Sequence, residues 1–192
     1  ELESLKTPKF DKLCKYHLED HIYKILLGMI GRLHYPIHKY DKFNCVAYIK
    51  GSSNTGKSTT GNIIMHTHQN IGTISGKMED TFGLQGLVKK NIVYVQECPK
   101  NLAKKLQKTD FQRMIEGSHL DIPRKGLESL NGFKWEAPML WLGNFFPEYQ
   151  DKSGAIPRRL CVFFMEKYVN PQMKDTNLEQ DFFLIEKIEL MK

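Results

Sequence analysis

Apolar residues near the start of the chain recur at helical spacing. Leu13, Tyr16 and His17 open a stripe that continues through Ile22, Ile25, Leu26 and Ile30, as one buried helical face requires. Gly28 and Gly31 interrupt the stripe and Pro36 ends it. Residues 10–33 are therefore expected as one or two helices, after a polar tether over residues 1–9. The period then shortens. Cys45-Val-Ala-Tyr-Ile49 is an apolar, β-prone run followed at once by a glycine-rich turn. Thr60–His68 reads as helix, Ile71–Ser75 as a second strand and Asn91–Val95 as a third. Leu102–Glu116 reads as helix, with Thr109 and Asp110 able to cap a second one. Pro138–Leu142 and Leu160–Phe164 are further buried strands, and Leu178–Met191 is a C-terminal helix. Strands alternating with helices predict an α/β fold, with a central, mostly parallel five-stranded sheet flanked by helices. The expected divisions are a helical lead-in over residues 1–40, a core over 41–168 and a helical extension over 169–192.

Between the first strand and the first core helix stands Gly51-Ser-Ser-Asn-Thr-Gly-Lys-Ser58. It fits the P-loop pattern in full, with the strand before it and the helix after it that the pattern requires. Glycines allow the tight turn that aims several backbone N–H groups at one anion. The following helix adds its N-terminal dipole. Gly51, Ser52, Ser53, Asn54, Thr55 and Gly56, with Lys57, Ser58 and Thr59, are thus candidate ATP-binding residues. Lys57 would reach the β- and γ-phosphates, and the Ser58 hydroxyl would hold Mg²⁺.

A nucleoside triphosphatase also needs a carboxylate at a neighbouring strand end. Val93-Tyr-Val-Gln-Glu97 supplies Glu97, placed to hold Mg²⁺ through water and to activate the attacking water. Gln96 stands where a second acid is usual. Pro138-Met-Leu-Trp-Leu-Gly-Asn144 ends in an amide suited to sensing the γ-phosphate or orienting water. Arg158 and Arg159 precede the last strand, and such a pair suits neutralisation of a phosphoryl group in transfer.

The rest of the composition narrows the picture. The 192 residues suffice for one substantial core, and the 41% hydrophobic content is that of a globular chain. The net charge of +6 fits a phosphate-rich partner such as nucleic acid. Cys14, Cys45, Cys98 and Cys161 form no C-x-x-C pair, which argues against a zinc ribbon or a disulfide framework and for a reducing compartment. His17 with His21, and His34 with His38, have metal-compatible spacing but no obvious third ligand, so helix packing is the better reading. No apolar run reaches membrane-spanning length and no secretory signal is present. The chain begins with Glu1 rather than Met, and a fragment of a longer chain is expected.

The order Gly51–Ser58, Glu97, Arg124–Lys125, Asn144, Arg158–Arg159 resembles the superfamily 3 helicases, ring-forming viral motors of the AAA+ class. The wording of Asn54–Ser58, Glu97-Cys-Pro99, Leu142-Gly-Asn-Phe-Phe-Pro147 and Gly154-Ala-Ile-Pro-Arg-Arg159 is most similar to the primase-helicases of large nucleocytoplasmic DNA viruses. The resemblance covers about residues 40–168. It implies a P-loop NTPase of AAA+ type, with Asn144 as the sensor and Arg158 or Arg159 as the finger acting in trans on the next subunit's nucleotide. It implies a hairpin between Gly117 and Pro138 with a basic tip facing the ring's channel. Gly126 and Gly132 are good hairpin residues. Arg124, Lys125 and Lys134 are candidate DNA contacts, with Phe133 or Trp135 to stack on bases. Glu128 softens the charge of this stretch.

The function expected is an ATP-dependent DNA helicase or translocase of viral replication. ATP and Mg²⁺ would sit at the interfaces of a homo-oligomeric ring, expected as a hexamer, and the hairpins would drag single-stranded DNA. A primase domain on the same longer chain is a further expected partner. No membrane is involved, and a viral chain of this kind would work in the host cell cytoplasm. The rival reading is a nucleotide-gated oligomeric scaffold for a primase or other replication partner, to which Gln96 lends weight. A small-substrate P-loop kinase would need a lid and an acceptor pocket in place of a basic hairpin and paired arginines.

Overall fold

The computed structural model describes residues 7–100, 102–149 and 153–191. Two helices, α1 (Pro8–Lys15) and α2 (Asp20–Arg32), lead into strand β1 (Val46–Lys50). Helix α3 (Lys57–Met65), β2 (Ile71–Thr73), β3 (Ile92–Val95) and α4 (Lys108–Ile115) follow. A hairpin of β4 (His119–Ile122) and β5 (Leu130–Lys134) precedes β6 (Met139–Gly143) and β7 (Leu160–Phe164). The chain closes with α5 (Leu178–Asp181), a π-helical turn (Phe182–Glu186) and α6 (Lys187–Leu190). No helix among the described residues is long and apolar enough to cross a membrane.

Five strands form one sheet in the order β2-β3-β6-β1-β7, and every pairing is parallel. In register, Ile49 lies beside Leu142 on one side and Phe163 on the other. Apart from Lys50 at the end of β1, the inner strands carry buried, largely apolar residues because both faces are covered. Successive residues of β1 feed opposite cores. Ala47 and Ile49 join α1, α2, α3 and the C-terminal helices. Val46 and Tyr48 join Phe111 of α4, Trp135 and Trp141. The expected α/β architecture with a mostly parallel five-stranded sheet is therefore the one observed.

Boundaries moved for local reasons. Helix α3 starts at Lys57 rather than Thr60, because Gly56 takes a left-handed φ of 76° and turns the loop directly into the helix. The expected helix over 102–116 splits into a 3-10 turn (Leu102–Lys104) and α4, since Gln107 is extended at ψ 148°. Of the polar N-terminal stretch, residues 1–6 lie outside the described residues. Thr7 is buried and Pro8 opens α1, so residues 7–9 are not a tether.

The start of α1 is capped from far along the chain. Thr7 makes no side-chain cap bond. Instead Glu186, 2% exposed, accepts the backbone N–H groups of Lys9 at 2.8 Å and Phe10 at 3.1 Å. Lys9 also pairs with Asp181. The orphan donors of a helix start are thereby satisfied by a buried carboxylate. Glu186→Ala is expected to lower stability by about 1–3 kcal/mol, because it strands a buried donor at Phe10 and a part-buried one at Lys9. An unchanged urea midpoint would show that water satisfies them instead.

Candidate active site

A cleft of about 1370 Å³ opens at the carboxyl ends of the parallel strands, where open α/β sheets bind ligands. Its floor is the loop after β1, and segments following β2, β3, β6 and β7 contribute its walls. Ser52 through Thr59 all line it, as do Gln96, Glu97 and Asn144. The loop, the acid and the amide expected to act together thus face one space.

The loop's path depends on glycine. A Cβ on Gly51 would stand 2.0 Å from the Met165 carbonyl oxygen. The Gly51 N–H donates to the Gly143 carbonyl at 3.2 Å, and the Lys50 carbonyl accepts from Met165 N–H at 2.7 Å. The exit of β1 is thus held between its neighbours. Asn54 (φ 60°) and Gly56 (φ 76°) are both left-handed. The Thr55 hydroxyl closes the turn on the Ser52 carbonyl at 3.0 Å. Ser52, Ser53 and Ser58 stay exposed to the cleft. This is the shape of an anion cradle at the start of a helix.

Lys57 is half-buried, and burial holds its ammonium below the ordinary lysine pKa, with the Glu97 carboxylate acting in the opposite sense. An anion bound here would stabilise the charged form. Glu97 is exposed to the cleft, and Cys98 beside it is pinned by its N–H to the Leu142 carbonyl at 2.7 Å. The Ser58 hydroxyl and the Glu97 carboxylate are hard oxygen donors, the kind that magnesium takes in ones and twos alongside substrate phosphates. Among the described residues no group of three or more His, Cys, Asp or Glu is placed to hold a metal by itself.

The histidine pairs separate. His34 stacks on His68 at 4.2 Å, while His38 Nε2 meets the Asn44 side chain at 2.7 Å. His17 packs edge-on against Tyr16, and His21 is exposed beside Glu19.

The two arginines also part company. Arg159 is 8% exposed, pairs with Glu116 and donates to the Ala155 carbonyl at 2.6 Å. It ties the start of β7 to the end of α4. Arg158 is exposed. Both sit at the amino end of β7, whereas the cleft lies at the carboxyl ends, and neither lines it.

The hairpin is antiparallel, and its turn carries Arg124, Lys125 and Glu128. Lys125 is exposed, while Arg124 spends its Nε on the Glu128 carbonyl at 2.7 Å. Lys134 lies at the opposite end, beside His119, and pairs with Glu136 at 3.1 Å. Trp135 cannot stack on bases. It is 1% exposed, and its indole N–H donates to the Ala137 carbonyl at 2.8 Å. Phe133 is half-buried against the same core.

Sequence reasoning missed two walls of the cleft. Lys12, Leu13 and Tyr16 of α1 line one side, and Tyr168 through Pro171, after β7, line another. Gly56 abuts Leu13: a Cβ there would stand 3.0 Å from its Cδ1. Val169 N–H donates to the Asn54 carbonyl at 2.9 Å, and the Tyr16 hydroxyl donates to the Tyr168 carbonyl at 3.0 Å. No local pattern signals these long-range contacts.

Residues 49–159 match the model of DUF5906, a family of unknown function. The chain belongs to this family. No curated protein matches it. Among solved structures, two apo structures of the NrS-1 C-terminal region resemble this DUF5906 chain with TM-scores of 0.64 and 0.61, at 15% and 14% identity. They are covered over 44% and 43% of their length by 96% of this one. A JCV helicase with a bound acetamide compound gives a TM-score of 0.53 at 14% identity, covering 96% of this chain and 50% of that one. The chain thus spans half the length of these neighbours or less, and at such identities the likeness shows the shared fold.

Gly51→Ala is expected to break the junction of β1, β6 and β7 and abolish nucleotide binding. Gly76→Ala, in the cleft wall with no atom within 4 Å of an added Cβ, is expected to bind normally. Titration with a fluorescent ATP analogue compares them. Full binding by Gly51→Ala would show that the loop tolerates a different path.

Proposed function

We propose that this chain is the ATPase core of an ATP-dependent helicase or translocase that moves single-stranded DNA in viral replication. The observation that carries the reading is the convergence of Ser52–Thr59, Glu97 and Asn144 on one cleft at the strand ends. A JCV helicase among the structures of like fold supports it, and the motif wording favours the primase-helicases of large DNA viruses.

In this reading the loop amides and Lys57 hold the β- and γ-phosphates of ATP. The Ser58 hydroxyl and, through water, Glu97 would hold a magnesium ion, which would supply neutralisation of phosphate charge. Glu97 takes a proton from the water that attacks the γ-phosphorus as the bond to the leaving ADP oxygen breaks. Asn144 orients that water or senses the γ-phosphate. Arg158 is the finger. It is exposed and lies at the far end of β7 from its own cleft, so it serves the nucleotide of a neighbouring copy, in a ring taken as hexameric. Arg159 is committed within its own subunit. Lys125 and Arg124 at the hairpin tip meet the DNA backbone, with Lys134 at the hairpin base as a further contact. A primase domain on a longer chain is the partner that this motor would serve.

Gln96 favours a second reading. It faces the cleft where a second acid is usual, and a weakened hydrolytic site would suit a nucleotide-gated scaffold for a replication partner.

Lys57→Ala is expected to weaken nucleotide binding and abolish hydrolysis. Glu97→Gln is expected to bind ATP but turn over about a hundredfold more slowly or worse. Normal turnover in Glu97→Gln would remove that residue from the mechanism. Mixed with wild type, Arg158→Ala is expected to fold normally and depress turnover more than its mole fraction. Arg159→Ala is expected to lose about 1–3 kcal/mol of stability, because it leaves Glu116 unpaired. A stable Arg159→Ala that poisons the mixture, beside a harmless Arg158→Ala, would reverse the two roles.

A further inference from the structure

A side chain that belongs to neither the cleft nor the hairpin, Gln85, bonds the hairpin turn to the segment that leaves the cleft. After β2 the chain passes the cleft at Thr73–Gly76 and turns on Ser75, whose carbonyl accepts from Met78 N–H at 3.0 Å. It runs to a 3-10 turn, Gly83–Leu87, seated in the core by Leu87, which is 4% exposed. Gly83 packs so closely on Met78 that a Cβ would stand 2.4 Å from its Cγ. Asp80 pairs with Lys105 at 2.8 Å, in the segment that continues from Glu97. From this braced strut the Gln85 side-chain oxygen accepts the backbone N–H of Lys125, in the hairpin turn, at 2.8 Å.

We propose that Gln85 is a positioning residue that couples nucleotide occupancy to the grip of the hairpin on single-stranded DNA. The inference rests on the motor reading above. One end of the strut borders the cleft and the other holds the exposed turn at the residue whose side chain is free to meet phosphate. The bond is solvent-exposed and links positions 40 apart. An exposed neutral hydrogen bond adds little to folding, so this one is readily remade when the strut moves. It fixes where the turn stands: a shift of the β2 end on nucleotide binding reaches Lys125 through Gln85, while Arg124 stays within the turn on Glu128.

The test uses the whole chain, a fluorescein-labelled oligothymidine and a non-hydrolysable ATP analogue. The readout is the ratio of DNA affinities with and without the analogue, in which any uniform change of charge attraction cancels. Gln85→Leu removes the acceptor at similar size, and Gln85→Glu retains it. Gln85→Leu is expected to reduce the ratio by about threefold to tenfold, with basal ATPase and melting temperature unchanged. Gln85→Glu is expected to keep most of the ratio. A wild-type ratio that survives Gln85→Leu overturns this proposal and leaves the motor reading standing. A Gln85→Leu protein that melts earlier and loses basal turnover in proportion overturns it too, since Gln85 would then be merely structural. A wild type that binds no DNA in either state overturns both.

Discussion

The site depends on the close passage of β1 between its two neighbours. Gly51 leaves the sheet where an added Cβ would meet the Met165 carbonyl, so no side chain fits. Its N–H is held by Gly143, and the Lys50 carbonyl by Met165. The chain must therefore turn at once, and it does so through left-handed Asn54 and Gly56. A loop so constrained has its path set before any ligand arrives, and a site that needs no reordering spends less of its binding energy on itself.

Both ends of the described chain brace that loop. Leu13 of α1 abuts Gly56, and Val169 after β7 holds the Asn54 carbonyl. Helix α1 is in turn capped by Glu186 from the C-terminal helices. Residues of α1 and of the stretch after β7 thus form part of the same cleft in space, although they stand far from the loop in sequence. The cationic residues divide by the same logic. The buried Arg159 is spent on internal acceptors, whereas Arg158 and Lys125 are exposed, and these are the two to which the proposed motor assigns external phosphate.

Much of the sheet was legible in advance because its strands are apolar on both faces and bounded by polar or glycine-rich turns. The expected Cys45–Ile49 and Pro138–Leu142 fall within one residue of the observed Val46–Lys50 and Met139–Gly143. The Gly51–Ser58 loop was legible because its glycines serve a backbone shape and leave a local signature. Residues recruited from a distance were not. Nothing around Tyr16, Tyr168 or Gln85 in the sequence shows that they border the cleft or hold the hairpin. Trp135 misled for a related reason: an aromatic in a basic hairpin looks like a stacking platform until its burial behind β5 is seen. Arg158 and Arg159 look alike in sequence, and only burial separates them.

The central claim is that hydrolysis here is shared between copies and serves a DNA strand. Steady-state ATPase across a range of protein concentrations, with and without single-stranded DNA, tests it most directly. The account predicts a rate per chain that climbs steeply with protein concentration and rises further with DNA. A rate per chain indifferent to both, yet abolished by Lys57→Ala, would contradict the motor and leave a nucleotide-binding module that works alone.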